Sequence, residues 1–247
     1  MKRIVITGAN EGIGFNMAKQ LLEDHHKVAV LDININNLEP LKELFGNNLL
    51  YYQCDITDEV LVKECIAQIT ATWGGIDYAI HNACKCIFTS LENTSDDNYQ
   101  AVMNVNYFGA LHLTKAVLPV MKQRHDGRIF YTSSGVGVTG FKNISAYACS
   151  KGAIEALAKC MNIEYADSGI SFHILHPPLT KTTSAAPLPV PDEFMAKPEE
   201  VGAGFAKRLT KNSFIICHSL GQTLMTKLTY LFPVPLGKKM SKMVPQQ

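Results

Sequence analysis

The sequence predicts a doubly wound α/β fold: a parallel sheet of about seven strands with helices on both faces, in a single domain spanning 1–247. Three observations predict it. Short apolar, β-branched runs alternate with longer stretches of helical periodicity along the chain. The short runs are mostly continuous rather than alternating, as strands buried on both faces require. A glycine cluster stands directly between the first run and the first helical stretch.

In chain order, strands are expected at 3–7, 27–32, 49–55, 76–81, 127–133, 170–176 and 213–217. Helices are expected near 12–24, 36–45, 57–72, 95–123, 145–167 and 198–210, and over 220–232. The stretch 177–198, "PPLTKTTSAAPLPVPDEFMAKP", carries six of the eleven prolines and reads as a loop, of a length that suits a substrate lid. Residues 219–247 form a C-terminal extension. There is no internal repeat and no low-complexity linker.

Bulk properties exclude several function classes. The chain has 23 basic and 22 acidic residues, a net charge of +1 that argues for no nucleic-acid partner. The first apolar run is too short for a signal-peptide core, and no run approaches a membrane span. Seven scattered cysteines, an odd number without a CxxC pair, suit a reducing cytoplasm.

"ITGANEGIGF" follows the first strand and opens the first helix. Gly8, Gly12 and Gly14 let the backbone turn tightly and approach a pyrophosphate, while the helix N-terminus offers free N–H groups. The spacing is G-x-x-x-G-x-G, not the commoner G-x-G-x-x-G. Asp32 closes the second strand 18 residues after Gly14, where a carboxylate accepts hydrogen bonds from an adenosine ribose. It repels a 2′-phosphate, and no Lys or Arg stands beside it in "VLDININ". NAD(H) is therefore expected over NADP(H). The bland alternative is that Asp32 caps the next turn.

In "SAYACSK", Tyr147 and Lys151 lie one helical turn apart on one face. A phenol of pKa ~10 gives up its proton poorly at neutral pH, and a nearby ammonium favours the phenolate. Ser134 follows the fifth strand at the carboxyl edge of the sheet, where open α/β sheets bind ligands. Its hydroxyl can hold a substrate oxygen in line with Tyr147.

These pieces together resemble the short-chain dehydrogenase/reductase (SDR) family over nearly the whole length. The matching segments are "TGANEGIG", Asp32, "CDIT", "HNAC", "NVNYFG", "SS", "YACSK" and "HPPLTKT", in the family's order, with Ser134 thirteen residues before Tyr147. The resemblance implies a Rossmann fold and hydride exchange between nicotinamide and a secondary alcohol or ketone. It implies that Tyr147 exchanges the proton with substrate. Lys151 lowers the tyrosine pKa and holds the nicotinamide ribose. Ser134 orients the substrate oxygen, and Asn106 holds a water that relays protons from Lys151. Ser133 and Asn104 are rivals for the last two roles. Cofactor contacts are implied for Gly8, Asn10, Gly12, Ile13, Gly14, Asp32, Ile33, Asp55, Ile56, Asn82, Ala83, Tyr147, Lys151, Pro177, Leu179 and Thr182. A homodimer or homotetramer is implied as well.

The chain departs from the family pattern in three places. Cys84 and Pro178 stand where the family carries glycines. His81, Cys84 and Cys86 lie close in sequence, but a strand end and its loop rarely aim three such groups together, so no metal is expected. The tail is apolar and basic, with Lys227, Lys238, Lys239 and Lys242. Four readings of it stand: closure over the substrate pocket, packing in a dimer, a peripheral membrane contact, or plain core packing. The tail, with Phe141, Phe194 and Met195, leans towards an apolar substrate resembling a lipid, steroid or retinoid.

Overall fold

The structure, a computed structural model, describes residues 1–188 and 190–242. The strands are β1 (Arg3–Thr7), β2 (Lys27–Asp32), β3 (Leu49–Gln53), β4 (Tyr78–His81), β5 (Gly127–Thr132), β6 (Ile170–Leu175) and β7 (Ile215–Ile216). They form one seven-stranded sheet in the order β3-β2-β1-β4-β5-β6-β7, with every pairing parallel. The chain reverses direction across the sheet between β1 and β4. There Thr7 pairs with His81, and His81 with Tyr131, so the carboxyl ends of β1, β4 and β5 share one edge.

The helices are α1 (Gly12–Glu23), α2 (Glu39–Phe45), α3 (Glu59–Trp73), α4 (Asp96–Met103), α5 (Gly109–Arg124), α6 (Val136–Thr139), α7 (Ser145–Glu164), α8 (Pro198–Ala206), α9 (Leu220–Leu231) and α10 (Pro233–Lys242). Two cores follow from the strands' continuous apolar runs. One face buries Val62 and Ile66 of α3, Leu113 and Val117 of α5 and Ile154 of α7. The other buries Met17 and Leu21 of α1, Leu41 of α2 and Phe205 of α8.

Several boundaries differ from the sequence expectation. The helix expected over 95–123 is broken by a π-helical turn, Asn104–Phe108, between α4 and α5. Such turns widen a helix by one residue and often mark functional sites. Here the turn draws the Asn106 side chain fully inward. β7 keeps only two residues, and α7 ends at Glu164. α10, which carries Pro233 and Pro235, was not expected. Both stand in its first turn, where a missing N–H breaks no helical bond. The proline-rich loop 177–198 is pinned by a bridge between Thr180 and Ala196 and an ion pair between Lys181 and Asp192. Among the described residues, no helix is long and apolar enough to cross a membrane.

Candidate active site

The glycine cluster forms the turn from β1 into α1. Gly8 and Gly12 take φ of 64° and 61°, a region that strains other residues. A Cβ at Gly8 would lie 2.4 Å from the Ala83 Cα, and one at Gly14 would lie 2.3 Å from the Gly8 carbonyl oxygen. Thr7 ends β1 and accepts hydrogen bonds from the main-chain N–H groups of Asn82 and Ala83, both at 3.1 Å. Asn82 donates back to the Gly8 carbonyl at 2.7 Å. These bonds lock the glycine turn to the end of β4. No side chain caps the N-terminus of α1, so its first N–H groups face outward with the positive end of the helix dipole. This cradle fits the pyrophosphate of a dinucleotide.

Asp32 stands half-buried at the end of β2. One carboxylate oxygen accepts from the Asn10 N–H at 2.9 Å, the other from Asn34 at 3.1 Å. The carboxylate thus ties the glycine turn to the β2 turn and keeps further lone pairs for a ligand. Asn10 is buried and accepts from Asn37 twice, its side-chain oxygen from the Asn37 main-chain N–H and its carbonyl from the Asn37 amide. Ile13 lies in the first turn of α1, and Ile33 is exposed on the turn after β2. Asp55 is exposed and caps its own turn through Thr57, while Ile56 is buried under Gly109. In the loop, Pro177 is half-buried, Leu179 is exposed, and Thr182 faces Gly12. Thr183 donates to Glu11 at 3.0 Å, which draws the loop over the start of α1.

Ser134, Tyr147 and Lys151 converge at the carboxyl edge beside this cradle. Lys151 is buried on α7, donates to the Thr132 carbonyl at 2.8 Å and sits 5.4 Å from the Tyr147 ring centroid. The Ser134 hydroxyl faces the Tyr147 phenol. Geometry separates the two serines, because Ser133 donates instead to buried Glu155 at 2.7 Å. Asn104 is bonded to Gln100 on an exposed face. Asn106 accepts from the Lys85 N–H at 2.7 Å, donates to the Lys85 carbonyl at 3.0 Å and donates to Ser150 at 2.9 Å. Its amide is therefore engaged in pinning the loop after β4 to α7, a part that the expected water relay does not describe.

That loop carries a feature the sequence did not reveal. The Cys84 and Cys86 sulfurs are 3.6 Å apart, and Cys84 faces the Lys151 ammonium and the Tyr147 phenol. The hydrogen bond from Cys86 and the Lys151 charge outweigh burial and lower the Cys84 thiol to about 6. Cys86, bonded to that sulfur and half-buried, is pushed up. Burial and the charge of this thiol pair push the Tyr147 phenol well above its ordinary value, while Ser134 pulls it down. The net direction is opposite to the lowering expected from Lys151.

The two other groups near the site are neutral. Burial, reinforced by Lys151, lowers His81 to about 3, and its Nδ1 shares a hydrogen with Thr7 at 3.1 Å. Burial lowers His176 to about 4, so its 3.7 Å approach to Glu155 is no ion pair. The described residues hold no group of three His, Cys, Asp or Glu placed to share a metal ion.

Sequence reasoning missed Thr7, Thr132, Ser150 and Glu155. Thr7 had a signal, a hydroxyl at the last position of β1. The other three act through main-chain bonds or across the fold and leave no local pattern.

Comparisons with known proteins agree with this architecture. A family model for short chain dehydrogenase matches residues 2–191. An uncharacterised oxidoreductase of Mycobacterium tuberculosis is 32% identical over 212 residues, covering 82% of this chain and 62% of that protein. The chain thus matches less than two thirds of that relative's length. A fatty acyl-CoA reductase of Acinetobacter baylyi is 28% identical over 253 residues, covering 94% of this chain and 85% of that protein. The solved structure of ElxO with NADP bound superposes with a TM-score of 0.77 at 25% identity, covering 88% of this chain and 95% of that one. With the family match spanning most of its length, this chain belongs to the short-chain dehydrogenase family.

Proposed function

We propose that the protein is an NAD(H)-dependent oxidoreductase that interconverts a secondary alcohol and a ketone on an apolar substrate. The observation that carries this reading is the convergence of Ser134, Tyr147 and Lys151 beside the glycine cradle. Nicotinamide, when bound, supplies or accepts the hydride. Gly8, Gly12 and Gly14 make room for the pyrophosphate, and Asp32 presents carboxylate oxygens where an adenosine ribose would lie.

Ser134 holds the substrate oxygen by its hydroxyl. Tyr147 exchanges a proton with that oxygen. A phenol whose pKa is raised stays protonated at neutral pH, so the site is poised to donate, which suits carbonyl reduction. Lys151 contributes a fixed positive charge beside the ring, held by the Thr132 carbonyl. Asn106 keeps the loop of Cys84 and Cys86 against α7.

Two features support the finer parts. Asp32, without a basic neighbour in "VLDININ", favours NAD(H) over a 2′-phosphorylated cofactor. Similarity to a fatty acyl-CoA reductase supports an apolar substrate. ElxO, with NADP bound, favours the second reading, an NADP(H)-dependent reductase of the same fold. Seven unpaired thiols suit a reducing cytoplasm.

The test is turnover of a panel of long-chain ketones and secondary alcohols with NAD(H) and NADP(H). Wild type is expected to turn over apolar members with NAD(H). Tyr147→Phe is expected to keep cofactor binding and lose turnover by a factor on the order of 10²–10⁴. Wild-type turnover in that variant would remove Tyr147 from the mechanism. Tight NADH binding without turnover of any member would leave a non-catalytic redox sensor.

A further inference from the structure

The C-terminal helix α9 is amphipathic in an inverted sense. Its polar side faces the protein. Tyr230 donates to Glu155 on α7 at 2.6 Å, Thr226 is buried, and Cys217 and Gln222 both reach the Thr226 hydroxyl at 3.5 Å. Its apolar side faces solvent. Leu220, Leu224 and Leu231 are 73%, 63% and 68% exposed, and Leu228, Met225 and Phe232 continue the same stripe. The leucines recur at i, i+4, i+8 and i+11, which keeps them on one face. A docked helix normally buries its apolar stripe, so this outward stripe calls for a cover.

The charge around the stripe indicates what covers it. Lys227 on α9 and Lys238, Lys239 and Lys242 on α10 are all exposed. No Asp or Glu occurs from 201 to 247. α10 packs on the end of α6, with Gly237 so close that a Cβ would lie 2.5 Å from the Thr139 carbonyl oxygen. Between them runs an open groove of about 360 Å³, lined by Phe141 and Val234 and by Lys142, Lys238 and Lys242. Three ammonium groups around an apolar floor match a phosphate headgroup with its chain. A second copy of this chain fits poorly. An isologous contact would set these lysines against their own equivalents, with no carboxylate in the segment to neutralise them.

We propose that α9 and α10 form a seat for an anionic lipid bilayer. The leucine stripe enters the interface, and the lysines meet the headgroups. A consequence resting on the proposed reaction is that α6, which follows Ser134, lies at the lipid surface, where an apolar substrate arrives. The binding itself does not depend on that reaction.

The test is co-sedimentation of the full-length protein with vesicles. One set is phosphatidylcholine alone, and the other contains about 30% phosphatidylglycerol. Sedimentation is expected with the anionic set only, weakening as salt rises. The pair Lys238→Glu with Lys239→Glu is expected to lower partitioning at least about tenfold. Leu224→Glu with Leu231→Glu is expected to abolish it at an unchanged melting temperature, because both positions are exposed. Absence of sedimentation with either vesicle would overturn the proposal. So would a wild-type dimer that the leucine pair converts to monomer in light scattering, since the stripe would then join two copies. Turnover of a soluble substrate in detergent-free buffer, unaffected by the leucine pair, keeps the reaction and the membrane seat separately testable.

Discussion

The sulfur of Cys84 lies 3.6 Å from that of Cys86 and faces Tyr147, the group placed to move the substrate proton. The thiol pair is one of the causes that push the Tyr147 phenol up. Cys84→Ser removes an ionised sulfur and leaves a neutral hydroxyl of similar size. The pKa of Tyr147 should then fall. Alcohol oxidation needs the phenolate as base, so its rate rises with pH through that pKa. The rising limb of kcat against pH is expected at lower pH in the variant than in wild type. An unmoved limb, or one moved upward, would contradict the coupling.

Asn106 satisfies both main-chain groups of Lys85 and the Ser150 hydroxyl from a fully buried position. Asn106→Ala removes the partner of both Lys85 main-chain groups and leaves the Ser150 hydroxyl only its bond to the Tyr147 carbonyl. The expected loss is about 1–3 kcal/mol in denaturant unfolding, with a further loss of turnover as the Cys84 loop loosens. A variant with wild-type stability would show that Asn106 does not hold that loop.

The contrast between Asn106 and Asp32 shows what the sequence makes legible. Asp32 was singled out from its place at a strand end, because ligand position in an open parallel sheet follows from strand order. The glycine cluster and the Tyr147–Lys151 pair were legible for the same reason, since local spacing sets their geometry. Asn106 was singled out by pattern, but its bonds reach Lys85 and Ser150, distant in sequence. The π-helical turn that aims it has the same periodic signature as a continuous helix. Cys84 read as a glycine replacement, and only the folded loop sets its sulfur against Lys151. α10 was missed, and its two prolines are tolerated because they stand in its first turn. The helix α9 was expected over 220–232, but which of its sides docks depends on Glu155, contributed by α7.

Asp77 anchors the amino-end edge of the sheet, accepting from Arg3 at 2.8 Å and from Arg124 at 2.6 Å. Burial opposes its charge, but these bonds prevail and hold the carboxyl well below its usual range. A depressed pKa contributes stability that is present above the unfolded value of about 3.9 and lost as pH falls through the folded one. Wild type is therefore expected to lose stability as pH falls below about 4. Asp77→Asn should be less stable at neutral pH and lose less on acidification. Parallel acid profiles for the two proteins would show that Asp77 does not contribute this linkage.

The central claim is that the glycine cradle and Asp32 hold NAD(H) beside Tyr147. The most direct measurement is a titration of the purified protein with NADH and with NADPH, followed by nicotinamide fluorescence, on wild type and Asp32→Ala. Tight NADH binding, weak NADPH binding and a narrowed difference in Asp32→Ala are the expected result. Binding of neither cofactor, or a preference for NADPH that Asp32→Ala leaves unchanged, would contradict it.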